Sequence, residues 1–159
     1  MLIYVKKPKE KCEDFSLIKG SNIKLKSGFV INCSTNSELL NYLFNKEYNG
    51  YMKYTYNSID MSCILWMISL DGKTSVAGFR NYWLENNIIE EYVGDLENKP
   101  SNFYNDKTIK PRYVFEKIID NDKKYFVFKG IYQIDIPNSS DTRRVLKKVS
   151  STATLEKFM

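Results

Sequence analysis

The sequence predicts a β-rich α+β fold: a mostly antiparallel curved sheet or small barrel with one or two helices. Three observations lead to it. Short runs of β-branched and aromatic residues recur along the chain, with twelve tyrosines and nine phenylalanines among 159 residues. Only one segment has clear helical periodicity. A hydrophobic fraction of 43% is too high for a disordered chain. The length is that of a single domain, so we expect residues 1–159 to form one.

The first half of the chain contains four segments with strand patterns, one of them a hairpin. Residues 2–5 (LIYV) predict a short strand. Residues 23–33 alternate apolar and lysine positions and then turn at Ser27-Gly28, which predicts a hairpin. Residues 51–56 predict a half-exposed strand, and the apolar run at 62–70 predicts a buried one that ends at the Asp71-Gly72 turn.

One helix is expected between these strands, roughly from residue 36 to residue 47. Thr35 and Glu38 have the spacing of a capping box, in which side chains satisfy free backbone N–H groups at a helix start. The apolar residues that follow recur at helical spacing: Leu39, Leu40, Leu43 and Phe44.

The last third of the chain predicts a three-stranded meander. Its strand candidates are residues 112–119, 124–136 and 143–149, with a turn at 120–124 after the first. Gly130 interrupts the second candidate, where a glycine usually marks a bulge or a close backbone approach.

The composition excludes several classes of site. The chain has no histidine, so serine and cysteine triads and most zinc sites lack their usual base or ligand. Cys12, Cys33 and Cys63 lack the C-x-x-C spacing of zinc ligands and are interpreted as reduced core residues. No apolar run is long enough to span a bilayer, so we expect a cytoplasmic protein that does not contact membranes. Because the usual zinc ligands are missing, we also expect no metal, and we expect no other cofactor.

Charge is distributed unevenly. Residues 1–30 carry seven lysines and arginines against three acidic residues, residues 31–106 carry five against ten, and residues 107–159 carry twelve against six. If the basic ends lie together, they form a positive face that can contact phosphates. We expect its centre to be Arg143, Arg144, Lys147 and Lys148. The alternative is that these charges only solvate a strand.

The segment GFRNYW at 78–83 allows two interpretations. Arg80 can contact a phosphate or a base edge while Tyr82 and Trp83 stack on bases, which makes the three candidate nucleic-acid contacts in an exposed turn. Alternatively, the aromatic residues fill the core and Arg80 pairs with a carboxylate of Glu85, Glu90 or Glu91.

Four short motifs resemble a known group of domains. They are W-M-x-x-L-D-G at 66–72, G-F-R-N at 78–81, I-x-E-x-Y-V-G-D at 88–95, and F-x-F-K-G-I-Y-x-I-D at 126–135 followed by R-R-V. Together they make residues 60–150 similar to the small β-barrels of the PUA and SRA-like group, found in bacterial restriction and mobile-element proteins. The resemblance implies a non-catalytic module that binds nucleic acid and reads an unusual or modified base in bacterial defence.

Two other functions remain open. A small phage or mobile-element protein could inhibit a larger host nuclease by presenting the acidic middle of the chain as a nucleic-acid mimic. A metal-dependent nuclease could use carboxylates of Asp71, Glu90, Glu91 and Asp95, with Glu97-Asn98-Lys99 as an acidic-x-lysine motif. Pro100 places that tripeptide in a loop rather than a strand, so we expect no catalytic residue.

Overall fold

The computed structural model describes residues 24–44, 55–58, 62–73, 79–93, 110–140, 142–155 and 158. The strand predicted at 2–5, the end of the predicted helix and the 97–99 tripeptide lie outside these residues. The described elements, in chain order, are β1 (Lys24–Lys26), β2 (Val30–Ile31), α1 (Asn36–Phe44), β3 (Thr55–Asn57), β4 (Ile64–Ile68), β5 (Phe79–Glu85), β6 (Ile88–Val93), β7 (Arg112–Asp120), β8 (Lys123–Ile134), a 3-10 helix (Ile136–Asn138), β9 (Arg143–Ser150) and β10 (Thr152–Thr154).

The strands form one large curved sheet and one small sheet. The large sheet has the order β3-β4-β7-β8-β9-β6-β5, with β2 also pairing with β8, and the small sheet pairs β1 with β10. Among these pairs only β4 with β7 is parallel. The predicted β-rich α+β fold with a mostly antiparallel curved sheet is therefore confirmed, and the sheet does not close into a barrel.

The two ends of the large sheet nevertheless approach each other. Asp71, just beyond β4, forms an isolated antiparallel bridge with Tyr82 of the edge strand β5. The backbone N–H of Gly72 donates a hydrogen bond of 3.0 Å to the carbonyl of Asn81. The sheet therefore curves far enough for the segment after β4 to contact its opposite edge.

The predicted meander is confirmed as β7, β8 and β9. The turn between β7 and β8 places Asn121 at φ 47° and Asp122 at φ 69°. Two consecutive residues with positive φ match the twist of a tight hairpin, and asparagine and aspartate tolerate that conformation. Gly130 has φ 122° next to a register shift between β7 and β8, so the bulge expected from the sequence is present.

The predicted helix is confirmed from Asn36 to Phe44. The hydroxyl of Thr35 accepts the backbone N–H of Glu38 at 3.2 Å, as a capping box requires. The Glu38 carboxylate accepts the N–H of Ser34 at 3.0 Å, one residue earlier than the pattern predicts. Both bonds satisfy donors that precede the first helical hydrogen bonds.

The two faces of the large sheet bury separate cores. On the outer face, α1 and the small sheet contribute to one apolar cluster with side chains of β4, β7 and β8, such as Phe115 and Phe128. On the inner face, side chains of β4, β7, β8, β9, β6 and β5 form a second cluster. Its buried members are Trp66, Ile68, Leu70, Ile89, Val114, Tyr132 and Leu146, with Trp83 and Ile134 packed against them.

Three sequence-based expectations are corrected. β1 and β2 do not form a hairpin, because after the Ser27-Gly28 turn β1 pairs with β10 and β2 with β8. The described part of GFRNYW is not a turn, because residues 79–85 form β5, and Gly78 lies outside the described residues. Cys63 is a free buried thiol, whereas Cys33 is disulfide-bonded, and Cys12 lies outside the described residues. Within those ranges, no helix is long and apolar enough to cross a membrane.

Candidate functional site

A cavity of about 420 Å³ opens at one end of the inner face. Two turns, β1 to β2 and β5 to β6, form its rim, and β8 and β9 form its wall. The lining residues are Ser27, Gly28, Trp83, Glu85, Asn86, Asn87, Lys129, Tyr132 and Lys148. Its volume lies in the usual range for small-molecule sites.

Backbone conformations that few residues adopt shape this cavity. Asn87 has φ 64° and closes the two-residue turn between β5 and β6. Gly130 lets β8 approach its neighbours closely, since a Cβ there would lie 2.6 Å from the Ser150 carbonyl, 2.8 Å from Lys148 Cε and 3.1 Å from Ser27 Oγ. The Ser27 hydroxyl also donates to the Lys129 carbonyl at 2.9 Å. Because Gly130 has no side chain, two lining residues, Ser27 and Lys148, can pack directly against β8.

Two aromatic rings form the floor of the cavity. The ring centroids of Trp83 and Tyr132 lie 6.0 Å apart with planes at 57°. The Trp83 indole N–H donates to the Glu116 carboxylate at 3.2 Å, and Lys129 Nζ lies 3.5 Å from the other oxygen of that carboxylate. Lys129 Nζ also lies 5.3 Å from the centroid of the Trp83 ring. Glu116 thus fixes both the indole and the ammonium group from below.

Tyr132 remains a neutral phenol at physiological pH. Its side chain is 1% exposed. Burial raises the pKa of Tyr132 to about 12, and the negative charge of Glu116 adds to the effect. With asparagine amides at the rim and the partly exposed Trp83 ring beside the buried Tyr132, the cavity offers a stacking surface and hydrogen-bonding groups, which suit a flat polar ligand.

Deeper on the inner face, Glu91 is bound by two arginines. Its carboxylate oxygen Oε1 lies 2.9 Å from Arg144 Nη1 and 3.4 Å from Arg112 Nη1. The exposed fractions of the three side chains are only 8%, 12% and 9%. Arg112 also stacks over Trp66, with Cζ 4.5 Å from the ring centroid. This cluster is a buried structural network.

On the outer face, the neighbouring Glu90 has different partners. Its carboxylate accepts Arg143 Nε at 2.9 Å and the hydroxyl of Tyr82. Burial raises the pKa of Tyr82, and the hydrogen bond to Glu90 raises it further. Arg80 lies over the Tyr92 ring with Cζ 4.3 Å from the centroid, and 5.8 Å from that of Tyr82.

The seven predicted contact residues are divided between the two faces, because neighbouring side chains of a strand point to opposite sides. Trp83 and Lys148 line the cavity, and Arg144 belongs to the buried network on the same face. The other four lie on the outer face or its margin: Arg80, Tyr82, Arg143 and Lys147, whose Nζ lies 2.8 Å from Asp135. The four basic residues of β9 therefore do not share one face.

The carboxylates considered as metal ligands are also separated. Glu90 and Glu91 point to opposite faces, and each is bound by arginine. Asp71 is exposed, and its side chain accepts the backbone N–H of Lys73 at 3.0 Å. Asp95 lies outside the described residues, among which no group of histidine, cysteine or acidic side chains could hold a metal ion.

Sequence reasoning did not select Tyr132, Lys129, Glu116 or the residues of the two rim turns as site residues, although it predicted the Ser27-Gly28 turn itself. Lys129 and Tyr132 flank Gly130 in the F-x-F-K-G-I-Y motif, so the glycine itself was the available signal. A strand glycine with a lysine before it and a tyrosine two positions after it could have been read as a bulge that presents both to a pocket. Glu116 carried no such signal.

Comparisons with known proteins show the family and the fold of this chain. The model of the SET and RING associated (SRA) domain matches residues 25–155. The solved structure titled "The 5-Hydroxymethylcytosine-Specific Restriction Enzyme AbaSI" shares the fold, with a TM-score of 0.66 at 16% identity over 96% of this chain. This chain spans 46% of the AbaSI chain.

A second structure is titled "DNA recognition domain of the cytosine modification-dependent restriction endonuclease LpnPI". It has a TM-score of 0.44 at 12% identity and covers 84% of this chain and 75% of its own. No curated protein sequence matches the chain. The family match extends the resemblance seen at residues 60–150 across nearly all of the described sheet, and the chain belongs to the SRA domain family.

Proposed function

We propose that this chain is a non-catalytic DNA-recognition module that takes one unusual or modified base into the cavity of its inner face. One observation carries the proposal: Trp83 and Tyr132 line a cavity of about 420 Å³ together with two asparagines and two lysines. Membership of the SRA family and the 5-hydroxymethylcytosine specificity named for AbaSI support it.

The lining chemistry suits a base better than a chain segment. A base inside a duplex cannot be surrounded, so proteins that hold one extrude it and bind it by stacking and by hydrogen bonds to its edge. Trp83 supplies a partly exposed ring surface beside the buried Tyr132, and the amides of Asn86 and Asn87 can both donate and accept. Lys148, at the wall, can contact the phosphate that follows the base.

Such a cavity is suited to distinguish a modified base from an ordinary one. A substituent on a base edge adds volume and polar atoms, and a pocket with polar groups on several sides discriminates by pairing with them or leaving them unpaired. We infer that the module identifies modified DNA, in a restriction or related defence role. Any cutting activity would belong to other residues, because Glu90 and Glu91 are engaged by arginines.

The inhibitor alternative has less support. It requires an acidic surface, but Glu90 and Glu91 are only 7% and 6% exposed and are neutralised by arginine. These two carboxylates therefore do not contribute to an acidic surface in the described part of the chain.

Two adjacent lysines of β9 provide the test. Lys148 lines the cavity, whereas Lys147 points away and pairs with Asp135, so Lys148→Gln and Lys147→Gln remove the same charge from opposite faces. Binding is measured by fluorescence anisotropy with otherwise identical duplexes that carry one cytosine, 5-methylcytosine or 5-hydroxymethylcytosine. We expect the unmodified protein to prefer a modified duplex, and Lys148→Gln to weaken that binding about tenfold, equivalent to about 1.4 kcal/mol.

Lys147→Gln should weaken binding much less and should leave the preference among the three duplexes unchanged. Equal losses for the two variants, or equal affinity for all three duplexes, would contradict a base-reading role of the cavity. Repeating the titrations at two salt concentrations separates the phosphate contact of Lys148 from base recognition.

A further inference from the structure

A row of three side chains crosses the outer face of the sheet, on the side opposite to the cavity. Arg80 of β5 lies directly opposite Tyr92 of β6, and Tyr92 lies directly opposite Arg143 of β9. Side chains in directly opposed positions have Cβ atoms about 5 Å apart, so two arginines flank one tyrosine within about 10 Å. We call these three residues the Arg-Tyr-Arg row.

The row carries an excess positive charge. Glu90 is the carboxylate bonded here, and its two oxygens are already used by Arg143 Nε and by the Tyr82 hydroxyl. Among the described residues, no carboxylate lies within ion-pair distance of Arg80. One positive charge therefore remains on this part of the face after pairing.

Stacking fixes the position of Arg80, but its buried Nε–H group has no acceptor among the described residues. Its guanidinium is stacked on Tyr92 and lies near Tyr82, an arrangement that orients the plane and leaves its edge available for hydrogen bonds. Its Nε is buried, and no described residue accepts its hydrogen. Buried donors without an acceptor are rare in folded proteins.

The other two residues add donors. Arg143 uses Nε for Glu90, its side chain is 42% exposed, and its terminal nitrogens have no other bond to a described residue. Tyr92 is half-buried, and its hydroxyl has no hydrogen bond to a described residue. Two guanidinium groups and a phenol thus lie side by side with unused donors.

We propose that the Arg-Tyr-Arg row binds a phosphate group. A phosphate presents several oxygens in a tetrahedral arrangement, so both arginines and the phenol can contact it together, whereas a carboxylate fills one guanidinium fork. The phosphate belongs either to the backbone of a nucleic acid that passes over this face or to a free phosphate or nucleotide. The row lies on the other face from the cavity, so the proposal does not depend on base recognition there.

Four variants test it, each first checked by its melting temperature. Arg80→Gln removes the unpaired charge, Arg80→Lys keeps the charge but loses the fork, and Tyr92→Phe keeps the ring but loses the hydroxyl. Lys123→Gln is the control, because Lys123 is exposed at the β7–β8 turn and its substitution changes net charge equally. Binding of inorganic phosphate is measured by calorimetry at constant ionic strength, and binding of an unmodified duplex by anisotropy.

If the phosphate is a free one, Arg80→Gln should lower the affinity for inorganic phosphate at least tenfold and leave the duplex affinity like that of Lys123→Gln. If it belongs to nucleic acid, Arg80→Gln should lower duplex affinity several-fold more than Lys123→Gln and reduce the salt slope by about one. In either case Arg80→Lys and Tyr92→Phe fall between the two. The proposal is overturned if Arg80→Gln behaves like Lys123→Gln in both assays, whatever Lys148→Gln does to binding at the cavity.

Discussion

Glu90 and Glu91 are neighbours in β6, and they show how differently the two faces of the sheet treat charge. On the inner face, two arginines that are themselves nearly buried bind Glu91. On the outer face, Glu90 is bound by a half-exposed arginine and a tyrosine, beside an arginine with no carboxylate partner among the described residues. Each cluster has two arginines beside one carboxylate, but the inner arginines are nearly buried, whereas the outer ones are partly exposed and available to a ligand.

The difference has a physical reason. A buried charge must be paired and hydrogen-bonded within the protein, because water cannot reach it. A half-exposed charge can be hydrated, so an excess is tolerated there and can serve a ligand. On the inner face, Arg112 and Arg144 therefore bind a buried carboxylate. The cavity on that face is lined by aromatic, amide and lysine side chains instead.

The largest effect should come from neutralising the inner carboxylate. Glu91→Gln removes the carboxylate charge that two nearly buried arginines, Arg112 and Arg144, both contact, and we expect a loss of about 3–5 kcal/mol in the free energy of unfolding. Glu90→Gln should lose only about 1–2 kcal/mol, because Arg143 can be hydrated and the amide can still accept from Tyr82. Urea denaturation of both variants measures the difference. If Glu90→Gln were the less stable variant, the contrast between the faces would be wrong.

The next effect concerns the close backbone approach behind the cavity. Gly130→Val combines a positive φ with contacts below 3 Å to Ser150 and Lys148, so we expect about 2–3 kcal/mol of destabilisation. Gly28→Ala is the control, since Gly28 has φ 93° but no atom within 4 Å of an added Cβ, and about 1 kcal/mol is expected. Equal melting temperatures for the two variants would show that the backbone around Gly130 can shift at little cost and that the cavity wall is not rigid.

The effect that is smallest near neutral pH comes from the titration of Tyr132. The pKa of Tyr132 is about 12 in the folded protein, against an ordinary value of 10.0 in the unfolded chain. Between these values the native state holds a proton that the unfolded state has lost, so stability is complete below about pH 10 and falls up to about pH 12. The slope from one such group is at most about 1.4 kcal/mol per pH unit.

Tyr132→Phe keeps the ring and removes this proton, so its free energy of unfolding should change less than that of the unmodified protein across the same pH range. The other tyrosines are common to both proteins and cancel in the comparison. Parallel curves for the two proteins would place Tyr132 in a more solvated environment than the cavity floor.

The sequence predicted the elements whose signals are local. The spacing of Thr35 and Glu38 predicts the helix start, and the apolar run of β4 predicts a buried strand, each from a few neighbouring positions. The meander is predicted by three strand patterns that follow one another in the chain. β5 and β6 were missed because both faces of β5 carry polar and aromatic residues, so no alternation is visible. The acidic run in β6 looked like a surface because its partner Arg144 lies 53 positions away.

The candidate site was only half predictable for the same reason. Trp83 and Lys148 were selected as contacts by residue type, but nothing local shows that a strand pairing sends Arg80 and Arg143 to the other side. The rim turns and Glu116 come together only through pairings between distant strands.

The hydrogen bond from Gly72 to Asn81 has a consequence for how copies of the chain behave toward one another. An uncovered edge strand exposes a row of N–H and C=O groups on which a second chain can add, the usual start of strand-mediated aggregation. At β5 the Asn81 carbonyl is already occupied and the Asp71 bridge covers Tyr82. The curvature that brings the end of β4 onto this edge therefore also blocks the middle of β5 as a template for an incoming strand.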